Sequence, residues 1–501
     1  MKVFRTGHSY HSRGDRQPLL GLFAAAGLAA LVIATGQLFG PFAAFAAPFA
    51  LALLVAALRD YRVATWITVF VLPIGPTSLV PREMLGVSPI YLVHGALLLS
   101  FSSLLLTRAL RPGRLVFPSW PRSFLVYLAV FVLSGLHGAM YTDQTPDYFV
   151  ALNVVTSASV GVYLQVTLLN SAVALGAAYV LSIAMCNARR PLMYLIPIFA
   201  SALIFAFAVF YFALASGGSL NDLASQESRE YLSRTGLHAN ELGLLLNTAW
   251  ALALFSLFQA PGFATRAALG AVAAVLGLAV LLTFSRGAWL GSLAVIAYLL
   301  YVRRNLVLLA AALLVLPVAA LLMPASVAER ATHEIGSKDV DALSSGRVDE
   351  IWKPLLPEIL NSPLLGSGAG SVLWSEAAKQ HKILPVGHPH SAYLGALLDL
   401  GVLGTIAVLL FFRHMWRLFR QLGVSAPERL WRGFFNGAAA CILLLFVQGL
   451  TDDSFLPGRT QAYLWLGYGA AVGFASRLKA RERSTHRAPA AGVAANLKAT
   501  S

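Results

Sequence analysis

The sequence predicts an all-α integral membrane protein, a polytopic helical bundle with one large, partly helical loop. Three observations carry that prediction. Of 501 residues, 58% are hydrophobic and only 12% are charged, against roughly 25% charged in soluble domains. Mean hydropathy is +0.71, so the chain has too little polar surface to cover itself in water. Apolar runs of span length also recur along it, with basic residues gathered in alternate gaps between them.

In chain order, a basic, polar segment at 1–18 leads into an apolar run from Leu19 to Phe39, about long enough to cross a bilayer core. No small-residue cleavage site follows it convincingly, so it reads as an uncleaved first helix. Further runs fall at 41–58, 63–80, 90–107, 123–140, 163–185, 194–215, 238–259, 267–284, 286–302 and 305–323, completing a bundle over 19–323. A polar loop occupies 324–390. Runs at 391–412, 433–450 and 461–476 make a second membrane segment over 391–476, and 477–501 is a basic tail. The expectation is about 12 to 14 spans, because the short runs near 41–58 and 286–302 are also compatible with re-entrant segments.

The gaps test this division, since positive charge concentrates on the cytoplasmic side. Counted from an inside N-terminus, Arg59 and Arg62, the cluster Arg108 to Arg122, Arg189 and Arg190, Arg303 and Arg304, and the set Arg413 to Arg432 all fall inside. The gaps on the other side hold Asp143, Asp147, the 324–390 loop and Asp452-Asp453. Both termini are therefore expected in the cytoplasm and the large loop outside. The same clustering explains the net charge of +15 and argues against nucleic-acid binding, which calls for a basic stripe that tracks phosphates. Cys186 and Cys441 fall at different predicted depths, so no disulfide is expected.

On this topology the chemically capable residues converge on the outer face. Arg234 and Asn240 precede or open the span near 238, Arg286 sits in the turn Thr283-Phe284-Ser285-Arg286-Gly287, and Arg347 and His390 belong to the large loop. Polar residues in so apolar a chain share a membrane face when something polar binds there. A guanidinium at the membrane edge can snorkel to headgroups, or it can hold a diphosphate through its planar fork of donors. Arg347 follows Ser344-Ser345-Gly346 at the start of a short helix, where it can bind substrate or pair with Asp349 or Glu350. Asn240 is also a good helix cap. His390 precedes Ser391 at the start of an apolar helix, whose positive end favours neutral imidazole, a form able to accept a proton. Asp399 lies about 13 Å further along that helix, too far to bond His390 directly, which gives it a supporting role. His381, His388 and His390 share one loop, but neither their spacing nor an acid placed as a further ligand makes a metal site.

The motif His390-Ser391, nine residues, then Gly401-Val402-Leu403-Gly404, together with Gly346-Arg347, Thr283-x-Ser285-Arg286-Gly287 and Pro363-Leu364-Leu365-Gly366-x-Gly368, resembles the O-antigen ligase and polymerase family. The resemblance covers about Arg234 to Gly404 well and the first 200 residues only in general character. It implies a membrane-embedded glycosyltransferase of GT-C-like architecture in the bacterial inner membrane, with a periplasmic active site and no metal or nucleotide. It further implies that a glycan moves from an undecaprenyl diphosphate carrier to lipid A-core or to a growing polysaccharide, with inversion. By that resemblance His390 is catalytic and Arg286, Arg347 and Arg234 bind the diphosphate, whereas Ser391, Asp399, Gly401, Gly404 and Asn240 support them. Ligase is the preferred reading because of the His390-Ser391 motif, with an O-antigen or exopolysaccharide polymerase as the alternative. A lipid-linked sugar flippase is more remote, because a transporter gathers its polar residues near the midplane on paired repeats.

Overall fold

The computed structural model describes residues 41–80, 92–110, 115–217, 230–306, 310, 341, 346–452 and 454–498. The predicted spans 19–39 and 305–323, and the loop before Gly346, lie wholly or mostly outside the described residues. Regular structure among the described residues is entirely helical. The principal helices are α1 (Pro41–Arg59), α2 (Tyr61–Ile74), α3 (Leu92–Leu110), α4 (Arg122–Ala139), α5 (Val160–Cys186), α6 (Leu195–Ala215), α7 (Ala239–Leu257), α8 (Phe263–Leu281), α9 (Arg286–Arg303), α10 (Ala392–Ser425), α11 (Arg429–Gln448) and α12 (Ala462–Lys498). Among the described residues, seven segments, α3 to α6, α8, α10 and α11, are long and apolar enough to cross a membrane by length and composition. The chain is a multi-pass helical membrane protein.

In lipid the apolar surface of a helix gains nothing by leaving its surroundings, so close helix association relies on small residues that let backbones meet. Gly433 and Gly437 on α11 do this against α7: a Cβ there would stand 2.6 Å from Phe255 O and 2.7 Å from Ala251 O. Gly469 and Gly473 on α12 press equally close to Ala178 and Ser182 of α5. Aromatic rings fill the centre. Tyr127 of α4 stacks on Phe411 of α10 at 4.4 Å, and its buried hydroxyl donates to Phe455 O at 3.0 Å. Cys186 and Cys441 are both free and buried.

Three predicted runs differ clearly in extent from the helices that form: 461–476 is the start of α12, which continues to Lys498, and the other two are 63–80 and 391–412. The run 63–80 becomes the shorter α2, whose end coincides with Pro73 and the following Gly75-Pro76. The run 391–412 becomes a helix reaching Ser425, because its continuation is amphipathic. Phe419 and Leu422 are buried there, while Arg420 reaches across to the Tyr298 hydroxyl at 2.9 Å.

That helix is also broken. Gly401 adopts φ 62° and ψ −171° inside α10, a region open essentially to glycine alone, so 392–400 is a short segment set off from the longer remainder. The break frees backbone groups that the loop then satisfies: Val402 and Leu403 N–H donate to the carbonyls of Pro363 and Leu364, and Ser367 and Gly368 N–H donate to those of Leu398 and Asp399, at 2.8–3.1 Å. Beneath the loop a small separate core of Phe149, Ile351, Leu355, Val372, Ile383 and Leu398 packs against this first segment. The loop is thereby seated on the bundle, and His390 stands at the junction.

Candidate active site

Four chain segments meet around His390. Pro389 before it is held by the Trp352 indole, which donates to its carbonyl at 2.8 Å, and Ser391 after it caps α10 by accepting from Leu394 N–H. Between these anchors His390 takes a positive φ of 51°, uncommon for a residue with a side chain, and its N–H donates to His388 Nδ1 at 3.2 Å. Its own Nδ1 lies 3.3 Å from Asp452 Oδ1, just beyond the end of α11. A carboxylate can only accept, so the proton of a neutral imidazole belongs on Nδ1, and Nε2 keeps its lone pair.

Asp452 is fixed in turn. Its other oxygen accepts from Asn240 Nδ2 at 2.9 Å, and Asn240 Oδ1 accepts from Ser285 Oγ at 2.8 Å. The starts of α7 and α9 are thus tied to the end of α11. Burial works against the Asp452 carboxylate. The His390 hydrogen bond, the charges of His388 and His390 and the Asn240 hydrogen bond outweigh it and hold the carboxyl well below its usual range.

The arginines converge on the same place. Arg347 starts a helical turn in the loop, and its guanidinium donates to the Thr451 carbonyl, one residue from Asp452. Asp349 pairs with Lys353. Burial lowers the Arg347 pKa from the ordinary guanidinium value; Asp452 opposes that shift, and the like charge of Arg286 reinforces it. Arg286 opens α9 directly after Ser285, whose hydroxyl accepts from Ala288 N–H. Beside this group is a cavity of about 240 Å3 whose lining includes Asn240, Ser285, Gly287, His388, Thr451 and Asp452. Two guanidinium groups, a carboxylate-held imidazole and an open cavity can together bind an anionic leaving group and take a proton.

Of the residues singled out in the sequence, His390, Ser391, Arg286, Arg347 and Asn240 are brought together. Arg234 is exposed in the turn before α7, and no described hydrogen bond or ion pair joins it to the cluster. Asp399 turns to the loop, accepting from Ser371 N–H at 3.0 Å and Ser371 Oγ at 2.7 Å. Gly401 makes the helix break, and Gly404 packs on Leu400 and Val130. Asp452 was not singled out as a site residue. Its only signal is an acid directly after an apolar run on the predicted outer side. It supplies the acid that the histidines lack in sequence, since His388, His390 and Asp452 place donor atoms within 4.8 Å of one another. The Nδ1 of His388 is engaged by His390 N–H, however, which leaves the proton of a neutral ring on Nε2, the nitrogen 3.9 Å from Asp452. A metal bound at that nitrogen would have to break this arrangement. His381 stands apart, 4.5 Å from the Tyr148 ring.

Residues 271–409 match the protein family described as O-Antigen ligase. The matched segment contains Arg286, Arg347, His390, Asp399, Gly401 and Gly404; Arg234, Asn240 and Asp452 lie outside it. No curated protein matches the chain.

Proposed function

We propose, for a chain whose residues 271–409 match the O-antigen ligase family, that it transfers a glycan from a polyprenyl diphosphate carrier to an acceptor hydroxyl at the outer face of the bacterial inner membrane. The observation that carries the reading is the meeting of His390, Asp452, Arg286 and Arg347 at one junction between loop and bundle. His390 Nε2 removes the acceptor proton, and the acceptor oxygen forms a bond to the anomeric carbon of the donor sugar. The bond from that carbon to the diphosphate oxygen breaks with inversion. Arg286 and Arg347 take up the charge on the departing diphosphate, and Asp452 stabilises the imidazolium that forms. The reaction needs no metal or nucleotide.

The acceptor is proposed to be lipid A-core, which makes the protein an O-antigen ligase, and the His390-Ser391 motif is the ground for preferring that acceptor. Glycan analysis of a deletion strain tests it. Polymer accumulating on the carrier supports the ligase; products limited to a single repeat overturn it in favour of a polymerase. The proposed orientation, with both termini in the cytoplasm, is tested by reporter fusions near Lys379. A cytoplasmic signal there would contradict the mechanism as well as the topology.

A further inference from the structure

A second cavity, of about 330 Å3, lies where the end of α4 meets the loop, and the proposed reaction uses none of it. That volume falls at the lower end of small-ligand sites. One wall is aromatic: the Tyr141 ring stacks beside Trp374 at 6.1 Å with 21° between planes, and His137 meets Tyr141 edge-on at 5.4 Å. The Trp374 indole donates to Ser367 O at 3.2 Å, which fixes its plane. The lining also carries amides and carboxylates, Gln144, Asn361, Glu358 and Glu376. Glu358 accepts from Ala377 N–H and from Asn361 Nδ2 at 3.0 and 2.8 Å, so Asn361 is held at the mouth.

The charges select the ligand. Glu358 and Glu376 line the cavity and no arginine or lysine does; the nearby Lys379 ammonium is engaged by Gln144 and Glu376 at 3.1 and 2.9 Å. Phosphate is therefore repelled, and an acyl chain would leave the polar lining without partners. A pyranose fits the aromatic and the polar lining alike, since it offers an apolar C–H face to an aromatic ring and a rim of hydroxyls to amides and carboxylates. The cavity is also mechanically joined to His390. Leu398 in its lining stands eight residues beyond His390, about 12 Å along the first segment of α10. Asp399 binds Ser371, another lining residue, to that segment.

We propose that this cavity is a subsite for uncharged sugar units a short distance along the glycan from the reacting bond. The inference rests on the glycan-transfer reading above and assigns Asp399 the task of holding the subsite wall to the catalytic helix. The donor glycan and the acceptor glycan present the same chemistry to it.

Saturation-transfer NMR on the detergent-solubilised full chain tests the subsite directly, using neutral oligosaccharides released by mild acid from the surface polysaccharide of the producing cells. Wild type should transfer saturation to the sugar ring protons. Tyr141→Ala should weaken binding by roughly tenfold, the loss of one ring contact, and Asn361→Ala, at an exposed position, should weaken it by roughly threefold, the loss of one hydrogen bond. His390→Ala should bind as wild type does, which separates this test from the assignment of the catalytic base. In transfer assays with Tyr141→Ala, a raised KM for the lipid-linked donor alone places the donor glycan in the cavity, and a raised KM for the acceptor alone places the acceptor there. No saturation transfer with wild type, or wild-type binding by folded Tyr141→Ala and Asn361→Ala, overturns the proposal.

Discussion

Gly366 and Gly401 meet backbone to backbone: a Cβ on Gly401 would stand 2.5 Å from Gly366 N, and one on Gly366 would stand 2.5 Å from Gly401 N. Both have positive φ, 72° and 62°. Gly401→Ala should therefore cost about 1–3 kcal/mol in backbone strain alone, with the collision against the loop adding to it. Thermal melts and limited proteolysis in detergent should show a lower Tm and a loop cleaved near Leu364. Wild-type melting and protection would show that loop and helix do not depend on this contact.

The same pair shows what sequence reading reaches and where it stops. The Gly401-x-x-Gly404 spacing and the Pro363 to Gly368 run were both legible as motifs, but their reason is that one docks on the other, across 35 residues. Local pattern contains no record of that contact. Helical class and most helix positions were legible because span-length apolar runs report burial in lipid directly. The extension of α10 to Ser425 was not, because its arginines look like a loop until Tyr298 supplies a partner on α9. Asp452 escaped for the same reason as the glycine contact: its tie to His390 spans 62 residues.

Asp452→Asn keeps the shape of the side chain and removes the charge that orients His390 and stabilises imidazolium. Transfer should fall by up to about 10⁴-fold, the loss that follows when the carboxylate holding a catalytic imidazole in its tautomer becomes an amide, while donor capture is retained. Kinetic constants near wild type would show that the His390–Asp452 contact has no part in the chemistry.

Acid should loosen the junction between loop and bundle. The folded-state pKa of Asp452 is depressed, so its stabilisation is fully present above the unfolded carboxyl value of about 4 and is lost as the pH falls from there through the folded value. Between about pH 5 and pH 2, wild type should lose more Tm than Asp452→Asn. Parallel loss in the two proteins would remove Asp452 as the source.

Arg286→Lys and Arg347→Lys keep the charge but replace a planar fork with a point donor. Each should lose most transfer activity while expression and folding stay near normal. Full activity of the lysine variants in a glycan-transfer assay would mean that positive charge at the membrane edge suffices and that no bidentate clamp exists.

The most direct test of the account is single-turnover transfer by purified, folded His390→Ala loaded with lipid-linked donor. Donor binding should match wild type, because the arginines hold the diphosphate, and the transfer rate should fall by roughly 10²–10⁴-fold, the contribution of a general base. Transfer at the wild-type rate by a His390→Ala protein that binds donor normally would contradict the assignment of His390 and the mechanism built on it.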